Sequence, residues 1–133
     1  MYEYKVKDVV KVVDGDTIDI LIDLGFGLTK KERVRVAGID TPESRTRNLV
    51  EKQYGIAAKV YLEGILRNAE EIRVETSKDG KYGRMLGWIY VDGVEKSVNQ
   101  TMIDEGYAWP YDGGTKNEFD RDKHKLDAKR KSI

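Results

Sequence analysis

Three short segments carry charged side chains whose chemistry suits a phosphate bound beside a metal ion. The longest runs from Arg35 to Glu43 and sets one guanidinium and two carboxylates within nine residues, at the end of an apolar stretch. A second segment, 14–17, is Asp-Gly-Asp-Thr and adds two more carboxylates at a turn. The third, 81–84, is Lys-Tyr-Gly-Arg and adds a phenol and another arginine. Together the three segments predict phosphodiester cleavage.

The carboxylates predict a site for a hard divalent cation. Because Ca²⁺ takes oxygen ligands from carboxylates, backbone carbonyls and water, the candidate ligands are Asp16, Asp40 and the backbone carbonyl of Thr41. Arginine presents a planar fork that pairs bidentately with phosphate. We therefore expect Arg35 and Arg84 to stabilise the negative charge that builds on phosphorus in the transition state.

Glu43 is the candidate general base. It follows Pro42, whose ring fixes its own φ at about −65° and keeps the preceding residue out of helical geometry. This rigid turn orients the Glu43 carboxylate, which we expect to orient or deprotonate the attacking water.

Two of these segments also have simpler interpretations. Asp and Gly dominate turns for conformational reasons alone, so segment 14–17 by itself is typical of a polar turn. The Asp-Thr-Pro-Glu sequence by itself resembles the first turn of a helix, with Asp40 or Thr41 as N-cap and Pro42 at the first helical position. The combination of all three segments favours the catalytic interpretation.

These segments resemble those of the staphylococcal nuclease (thermonuclease) family. The similarity extends to Glu-Lys-Gln-Tyr-Gly at 51–55, Trp-Ile-Tyr-Val-Asp-Gly at 88–93 and Val-Asn at 98–99, and so covers nearly the whole chain. The resemblance implies an α+β, mainly β fold, an OB-type five-stranded barrel with three helices. It also implies a Ca²⁺-dependent nuclease that cleaves DNA and RNA and leaves 3′-phosphate and 5′-hydroxyl ends.

The resemblance assigns roles to individual residues where the motifs match. The catalytic residues would be Arg35, Glu43 and Arg84. The metal would be bound by Asp16, Asp40 and the Thr41 carbonyl, with Asp14 close by, behind the direct ligands. The substrate would be contacted by Tyr82 and, by a looser match, Tyr111. Charge alone adds candidates for the phosphates that flank the scissile bond, namely Arg45, Arg47, Lys52 and Lys81.

The stretch between Asp16 and Arg35 departs from the family pattern. It is several residues longer than in the family's best-known member, and residues 25–31, Gly-Phe-Gly-Leu-Thr-Lys-Lys, are predicted to form an extended hairpin tip. We expect this tip to alter the reach of the protein toward its substrate.

Residue spacing places the charged segments on predicted strands. After a β-rich stretch at 6–13 and a break at 14–16, isoleucines alternate with mostly polar residues from Ile18 onward. Asp16 shares the parity of these isoleucines, so its carboxylate is predicted to lie on the inward side at the mouth of the barrel. Residues 33–39 predict a third strand, with valines on one face, arginines on the other and an irregularity near Gly38.

The second half of the chain shows both helical and strand periods. Helical spacing from Gly55 predicts an amphipathic helix that ends near Asn68. Strands are predicted at 72–76 and 85–91, with a hairpin turn at 92–93. Further along, the predictions are a capping box of Ser97 with Gln100 before a short helix that Gly106 stops, and a frayable third helix over 115–131 that contains His124, to which we assign no role.

Composition limits the class of protein. A chain of 133 residues, with 39% hydrophobic and 36% charged residues, predicts a single domain over 1–133 with a basic C-terminal helix and tail at about 115–133. The formal net charge is zero, but residues 1–43 hold seven basic against nine acidic residues, so the acidic excess falls where the metal is predicted. Without cysteine, disulfides and thiolate metal sites are excluded.

No apolar run approaches the roughly 20 residues of a membrane span, and the first residues have no apolar core of a signal peptide. We therefore expect no membrane partner and a protein that is cytoplasmic as the chain stands and secreted if a leader was removed. We also expect a monomer.

Two function classes compete on this sequence. The first is a Ca²⁺-dependent phosphodiesterase whose partners are DNA and RNA, with single-stranded or denatured nucleic acid preferred. The second is a non-catalytic nucleic-acid-binding module on the same barrel, since one fold hosts many functions. A Ca²⁺ sensor without catalysis is disfavoured, because EF-hand spacing is absent from the sequence. The complete set of predicted catalytic residues favours the enzyme.

Overall fold

The computed structural model describes residues 2–77, 85–112, 114, 120 and 126, and these form strands and two helices. In chain order the elements are β1 (Tyr2–Asp14), β2 (Thr17–Gly25), β3 (Leu28–Val36), β4 (Ile39–Asp40), α1 (Leu49–Asn68), β5 (Ile72–Ser77), β6 (Met85–Val91), α2 (Val98–Asp104) and β7 (Trp109–Pro110).

Five strands close into a barrel in the order β1-β2-β3-β6-β5. Neighbours pair antiparallel except β3 and β6, which pair parallel. The long strand β1 closes the barrel because its first part, Tyr2–Val6, pairs with β5 and the part from Lys5 to Asp14 pairs with β2. Three register shifts along β1 give the local bends that such closure needs. The mainly β, OB-type five-stranded barrel expected from the sequence is confirmed.

The barrel interior is filled by the alternating apolar residues of its strands. Ile18, Ile20 and Ile22 are each at most 2% exposed, which confirms that this parity of β2 faces inward. Val34 on β3 and Ile89 on β6 lie in the same core. The buried residues of α1, Ala58, Leu62 and Leu66, belong to the same cluster, so the helix packs on the barrel.

One predicted helix boundary and one predicted turn type are wrong. Helix α1 begins at Leu49 rather than Gly55, because Asn48 caps it by accepting from the backbone N–H groups of residues 50 and 51. Its first turns are largely exposed, so they lack the apolar spacing that marks the rest of the helix. The Asp92-Gly93 turn forms at positive φ but leads to helix α2, so it is not a hairpin turn. The Asp92 carboxylate accepts from the N–H groups of residues 70 and 71.

Other predictions for this half hold where the structure describes them. Strand β6 covers the predicted residues 85–91, and the Ser97 hydroxyl caps α2 by accepting from the Gln100 N–H. The predicted helix over 115–131, with His124, lies outside the described residues apart from positions 120 and 126. Within the part of the chain that the structure describes, neither helix has the length and apolarity to cross a membrane.

An ion pair joins β2 to β3 on the outer surface of the barrel. The Arg33 Nε donates to Asp19 Oδ1 at 2.8 Å and its Nη2 donates to Oδ2 at 3.1 Å. Asp19 is only 7% exposed, although it lies opposite the inward isoleucines. The hydrogen bonds from Arg33 lower the pKa of Asp19 below its ordinary value, and those to Asp19 raise the pKa of Arg33.

This pair predicts a pH-dependent contribution to stability. Because folding lowers the pKa of Asp19, its contribution is present above the unfolded pKa of about 3.9 and is lost as pH falls through the folded pKa. Asp19→Asn should lower the melting temperature at pH 7, and the gap to the wild type should narrow below about pH 4. Thermal unfolding from pH 7 to pH 2.5 measures this gap; a gap independent of pH would contradict the assignment.

Candidate active site

The centre of the candidate site is the guanidinium of Arg35, near the end of β3. Its Nη1 donates to the carbonyl oxygens of Val36 at 3.0 Å and Asp16 at 3.3 Å, and its Nη2 donates to the carbonyl oxygen of Ile39 at 2.9 Å. The residue is 8% exposed. Arg35 therefore fastens together the β1–β2 turn, the end of β3 and the start of β4.

The structure brings the two predicted metal-ligating carboxylates to this guanidinium. Arg35 Nη2 lies 3.6 Å from Asp16 Oδ2 and 3.7 Å from Asp40 Oδ1. Asp16 is 8% exposed and Asp40 only 2%. Asp16 is thus buried, and Arg35, Asp16 and Asp40, although distant in sequence, form one buried cluster.

Thr41 connects the two carboxylates. Its hydroxyl donates to Asp16 Oδ2 at 3.0 Å, and its backbone N–H donates to Asp40 Oδ1 at 3.0 Å. Thr41 is itself buried. These two bonds fix the orientation of both carboxylates from a single residue.

Strand β4 is set in place by a chain reversal and a second strand. Gly38 adopts φ +76°, a conformation that few side chains tolerate, and this turn ends β3 where the sequence predicted an irregularity. Asp40 then pairs with Trp109 of β7, and the Tyr111 N–H donates to the Gly38 carbonyl oxygen at 2.9 Å. The short β4–β7 sheet holds Asp40 beside Arg35.

Tyr111 lies against the cluster, although its sequence match to the family was loose. The Arg35 Cζ is 5.9 Å from the centre of the Tyr111 ring, within the range of a cation–π contact. The Tyr111 hydroxyl donates to the Gly114 carbonyl oxygen at 2.7 Å. The Tyr111 ring therefore lies beside the guanidinium at the centre of the site.

The Glu43 segment is held through its backbone. The Glu43 N–H donates to Glu51 Oε2 of helix α1 at 3.0 Å. A Cβ atom at Gly55 would lie 2.4 Å from the Glu43 carbonyl oxygen, so glycine allows α1 to touch this backbone. Glu43 itself is exposed. Its carboxylate is therefore accessible to water while its main chain is fixed.

Asp14 lies beside the cluster of Arg35, Asp16 and Asp40. Its Oδ1 accepts from the Ser44 hydroxyl, which ties the end of β1 to the residue after Glu43. A Cβ atom at Gly15 would meet the Ala58 Cβ at 2.7 Å, so the β1–β2 turn packs directly on α1. One helix thus positions both the Asp16 turn and the Glu43 segment.

The donor set of the cluster suits a hard cation. Two carboxylates, of Asp16 and Asp40, share one guanidinium, which leaves a net negative charge that a divalent ion would offset. Over the described residues, no group of three or more Asp, Glu, His or Cys side chains could hold a metal. The Thr41 carbonyl and water would therefore have to complete the oxygen shell that Ca²⁺ requires.

Several predicted residues lie apart from this cluster or outside the structure's description. Arg45, Arg47 and Lys52 are exposed, on the loop after Glu43 and on the first turn of α1. Lys81, Tyr82 and Arg84 lie outside the described residues, so their predicted roles stay predictions.

Sequence reasoning missed a positioning role for Asn99 on helix α2. Its amide nitrogen donates to the carbonyl oxygens of Ala37 at 2.8 Å and Gly87 at 3.0 Å, and its side-chain oxygen accepts from the Ile89 N–H at 2.9 Å. The residue is 4% exposed. Asn99 therefore joins α2 and β6 to the turn that follows Arg35. A signal was available, since asparagine rarely occupies the apolar face of a short helix without a partner.

Comparisons of the sequence with known proteins find similarity to nucleases. A family model described as staphylococcal nuclease homologue matches residues 33–133. Endonuclease YncB of Bacillus subtilis is 35% identical over 112 residues, which span 80% of this chain and 49% of the relative. A micrococcal nuclease of Shigella flexneri is 34% identical over 111 residues, or 78% of this chain and 57% of the relative.

A third similar protein, the SPbeta prophage-derived endonuclease YokF of Bacillus subtilis, is 33% identical over 131 residues, which span 92% of this chain and 42% of the relative. The chain therefore spans about half the length of the curated relatives it matches.

The contacts of Asn99 predict a large loss of stability on truncation. Asn99→Ala removes the side-chain partner of the Ala37 carbonyl and of the Ile89 N–H, while the Gly87 carbonyl still accepts from the Ala37 N–H. We therefore expect a loss of about 2–4 kcal/mol in the free energy of unfolding. Gln100→Ala on the exposed face of the same helix is the control and should cost less than about 1 kcal/mol. Urea denaturation measures both, and equal losses would contradict the role of Asn99.

Proposed function

The chain belongs to the staphylococcal nuclease homologue family, and on that premise we propose that it is a metal-dependent nuclease that hydrolyses phosphodiester bonds of DNA and RNA. The observation that carries the proposal is the buried Arg35 guanidinium, whose Nη2 lies within 3.7 Å of both the Asp16 and the Asp40 carboxylates. A positive charge fixed beside two carboxylates is the arrangement that phosphoryl transfer needs.

Arg35 binds the phosphate in this proposal. Three of its hydrogen bonds go to backbone carbonyls, so the guanidinium is already in place before substrate arrives. Arginine has five N–H donors, and the remaining two suit the oxygens of a phosphate or a carboxylate. Little reorganisation is then needed when charge develops on phosphorus. Arg84 is the second arginine of the proposal.

Glu43 handles the proton of the attacking water. Water adds to phosphorus and gives its proton to the Glu43 carboxylate, while the bond from phosphorus to the 5′ oxygen breaks. The 5′ oxygen takes a proton from solvent water and leaves as a hydroxyl, Glu43 then releases its proton to solvent, and the phosphate stays on the 3′ side. The exposed carboxylate on a fixed backbone supports this role, because it admits water without letting the chain move.

Ca²⁺ is the proposed metal. Asp16, Asp40 and the Thr41 carbonyl would hold it, with Asp14 nearby, and when bound it would polarise an oxygen of the scissile phosphate. The buried carboxylates of Asp16 and Asp40 supply the hard oxygen donors that this ion prefers.

The proposed substrates are single-stranded or denatured DNA and RNA, bound by a monomer. Tyr82, Lys81 and Tyr111 are the proposed contacts to the nucleotides around the scissile bond. Stacking on aromatic rings tolerates any base, which suits an enzyme without sequence preference.

Metal dependence and product ends test the proposed reaction together. The purified protein should cut heat-denatured DNA in Ca²⁺ but not in excess chelator, and the fragments should carry 3′-phosphate and 5′-hydroxyl groups. Mg²⁺ should support much less cleavage, because it is smaller and demands octahedral geometry. Gel analysis and end-labelling measure these outcomes.

Intact DNA under every metal condition, with binding retained, would instead assign the chain to the non-catalytic binding modules. Equal cleavage in Ca²⁺ and Mg²⁺ would contradict the proposed metal.

The role of Glu43 gives a second test of the reaction. Glu43→Gln should lower kcat by about 100-fold or more while the KM for DNA changes little, because general-base catalysis contributes to the chemical step alone. The control is Glu95→Gln, an exposed glutamate in the loop before α2, which should leave both constants unchanged. Steady-state kinetics measures this split, and normal turnover of Glu43→Gln would remove Glu43 from the mechanism.

A further inference from the structure

The β2–β3 hairpin ends in an exposed apolar tip, formed by residues 24–28. Phe26 at its apex is 102% exposed, and the flanking Leu24 and Leu28 are 45% and 61% exposed. Gly25 pairs with Leu28 across the two-residue turn Phe26-Gly27. The tip thus presents an aromatic ring to solvent at the end of a paired hairpin.

Stability does not explain phenylalanine at this position. Phe26 has φ +55°, and Gly25 and Gly27 on either side have φ +80° and +74°. Turns of this kind favour Asn-Gly, because asparagine tolerates the left-handed conformation and a bulky residue does not. A fully exposed ring also gains nothing from burial. Phe26 therefore combines backbone strain with apolar exposure, as functional sites on loops do.

A basic row connects the tip to the candidate active site. Val34 and Val36 are fully buried on β3, so the alternate residues Arg35, Arg33 and Lys31 share the opposite face. Such residues follow one another about 6.7 Å apart along a strand. Lys31 is exposed, and the side chain of Arg33 is 56% exposed although it pairs with Asp19. Two accessible cations therefore lie between the site and the tip.

The length of the hairpin sets the distance from Arg35 to the tip. From the pair of Thr17 with Arg35 to the pair of Gly25 with Leu28, β3 advances seven residues, or about 24 Å. A stacked nucleic acid strand advances about 3.4 Å per nucleotide. The tip is therefore about seven stacked nucleotides from Arg35, and fewer if the strand is extended.

We propose that the hairpin tip binds the single-stranded nucleic acid substrate up to about seven nucleotides from the scissile bond, with Phe26 stacking on a base and Arg33 and Lys31 contacting the phosphates between. The position relative to the scissile bond rests on the proposed function; the binding itself does not. The basic row leading to Arg35 favours nucleic acid over a lipid surface.

The test removes the ring without disturbing the turn. Phe26→Asn places a residue favoured at positive φ, so the hairpin should form at least as well as in the wild type. Phe26→Trp keeps a ring that can stack. The control is Val94→Asn, which makes a similar change at an apolar residue that is 50% exposed on the turn after β6.

Binding is measured by fluorescence anisotropy with a labelled 16-nucleotide oligothymidylate, in chelator so that any Ca²⁺-dependent cleavage is prevented. Phe26→Asn should raise Kd by about fivefold or more, which corresponds to about 1 kcal/mol of lost stacking. Phe26→Trp and Val94→Asn should stay within about twofold of the wild type. Equal Kd values for Phe26→Asn and the wild type would overturn the proposal.

Cleavage kinetics in Ca²⁺ separates the tip from the active site. Phe26→Asn should raise the KM for the 16-nucleotide substrate but leave kcat/KM for a trinucleotide unchanged, because the trinucleotide is too short to reach from Arg35 to the tip. Loss of binding to phosphatidylserine vesicles, or loss of self-association in sedimentation, with DNA binding intact would overturn the proposal in favour of a membrane or a second copy.

The two proposals fail separately. If the wild type binds the oligonucleotide through Phe26 without cutting it, the nuclease proposal is refuted and the proposal for the tip stands. If the wild type cuts the oligonucleotide and Phe26→Asn binds it with the same Kd, the nuclease proposal stands and the proposal for the tip is refuted.

Discussion

The interaction on which the site depends is the buried contact of one guanidinium with two carboxylates. Arg35, Asp16 and Asp40 are each at most 8% exposed, so none of these charges is compensated by bulk water. Removing one partner from such a group is expected to cost about 3–5 kcal/mol, because the others stay buried without it. The three carbonyls that accept from Arg35 make the guanidinium part of the backbone scaffold as well. Folding and the proposed catalysis therefore need the same side chain.

The barrel brings two chain reversals close together, and these place the carboxylates beside Arg35. The β1–β2 turn delivers Asp16, the turn at Gly38 delivers Asp40, and helix α1 packs against both the first turn and the Glu43 backbone. Asn99 fixes the segment after β3 by donating to the Ala37 carbonyl oxygen. The charged side chains lie at strand ends on a rigid β framework, where precise geometry is easier to hold than on a long loop. The β2–β3 hairpin carries Arg35 of the candidate active site near one end and the exposed Phe26 at the other.

The sequence predicted most of what local patterns encode. Alternation identified the inward isoleucine face of β2, and the valines of β3 placed Arg35 on the other face of that strand, because side chains alternate along a strand. The helix start at Asn48 was missed, since a solvent-exposed first turn shows no apolar period. The bridging role of Asn99 and the β4–β7 pair were also missed, because both depend on contacts between residues far apart in sequence. Tyr82 and Arg84 lie outside the described residues, so their predicted roles stay predictions.

In the proposed reaction, Arg35 acts as a bidentate fork toward phosphate rather than as a generic charge. The most direct test is the rate of DNA cleavage by Arg35→Lys, measured below its melting temperature, with Arg73→Lys on β5 as the control. Lysine keeps the charge but not the fork, so turnover should fall by about 100-fold or more while the control keeps its rate. A folded Arg35→Lys protein that cleaves DNA at nearly the wild-type rate would show that the charge alone suffices and that the bidentate fork is not needed.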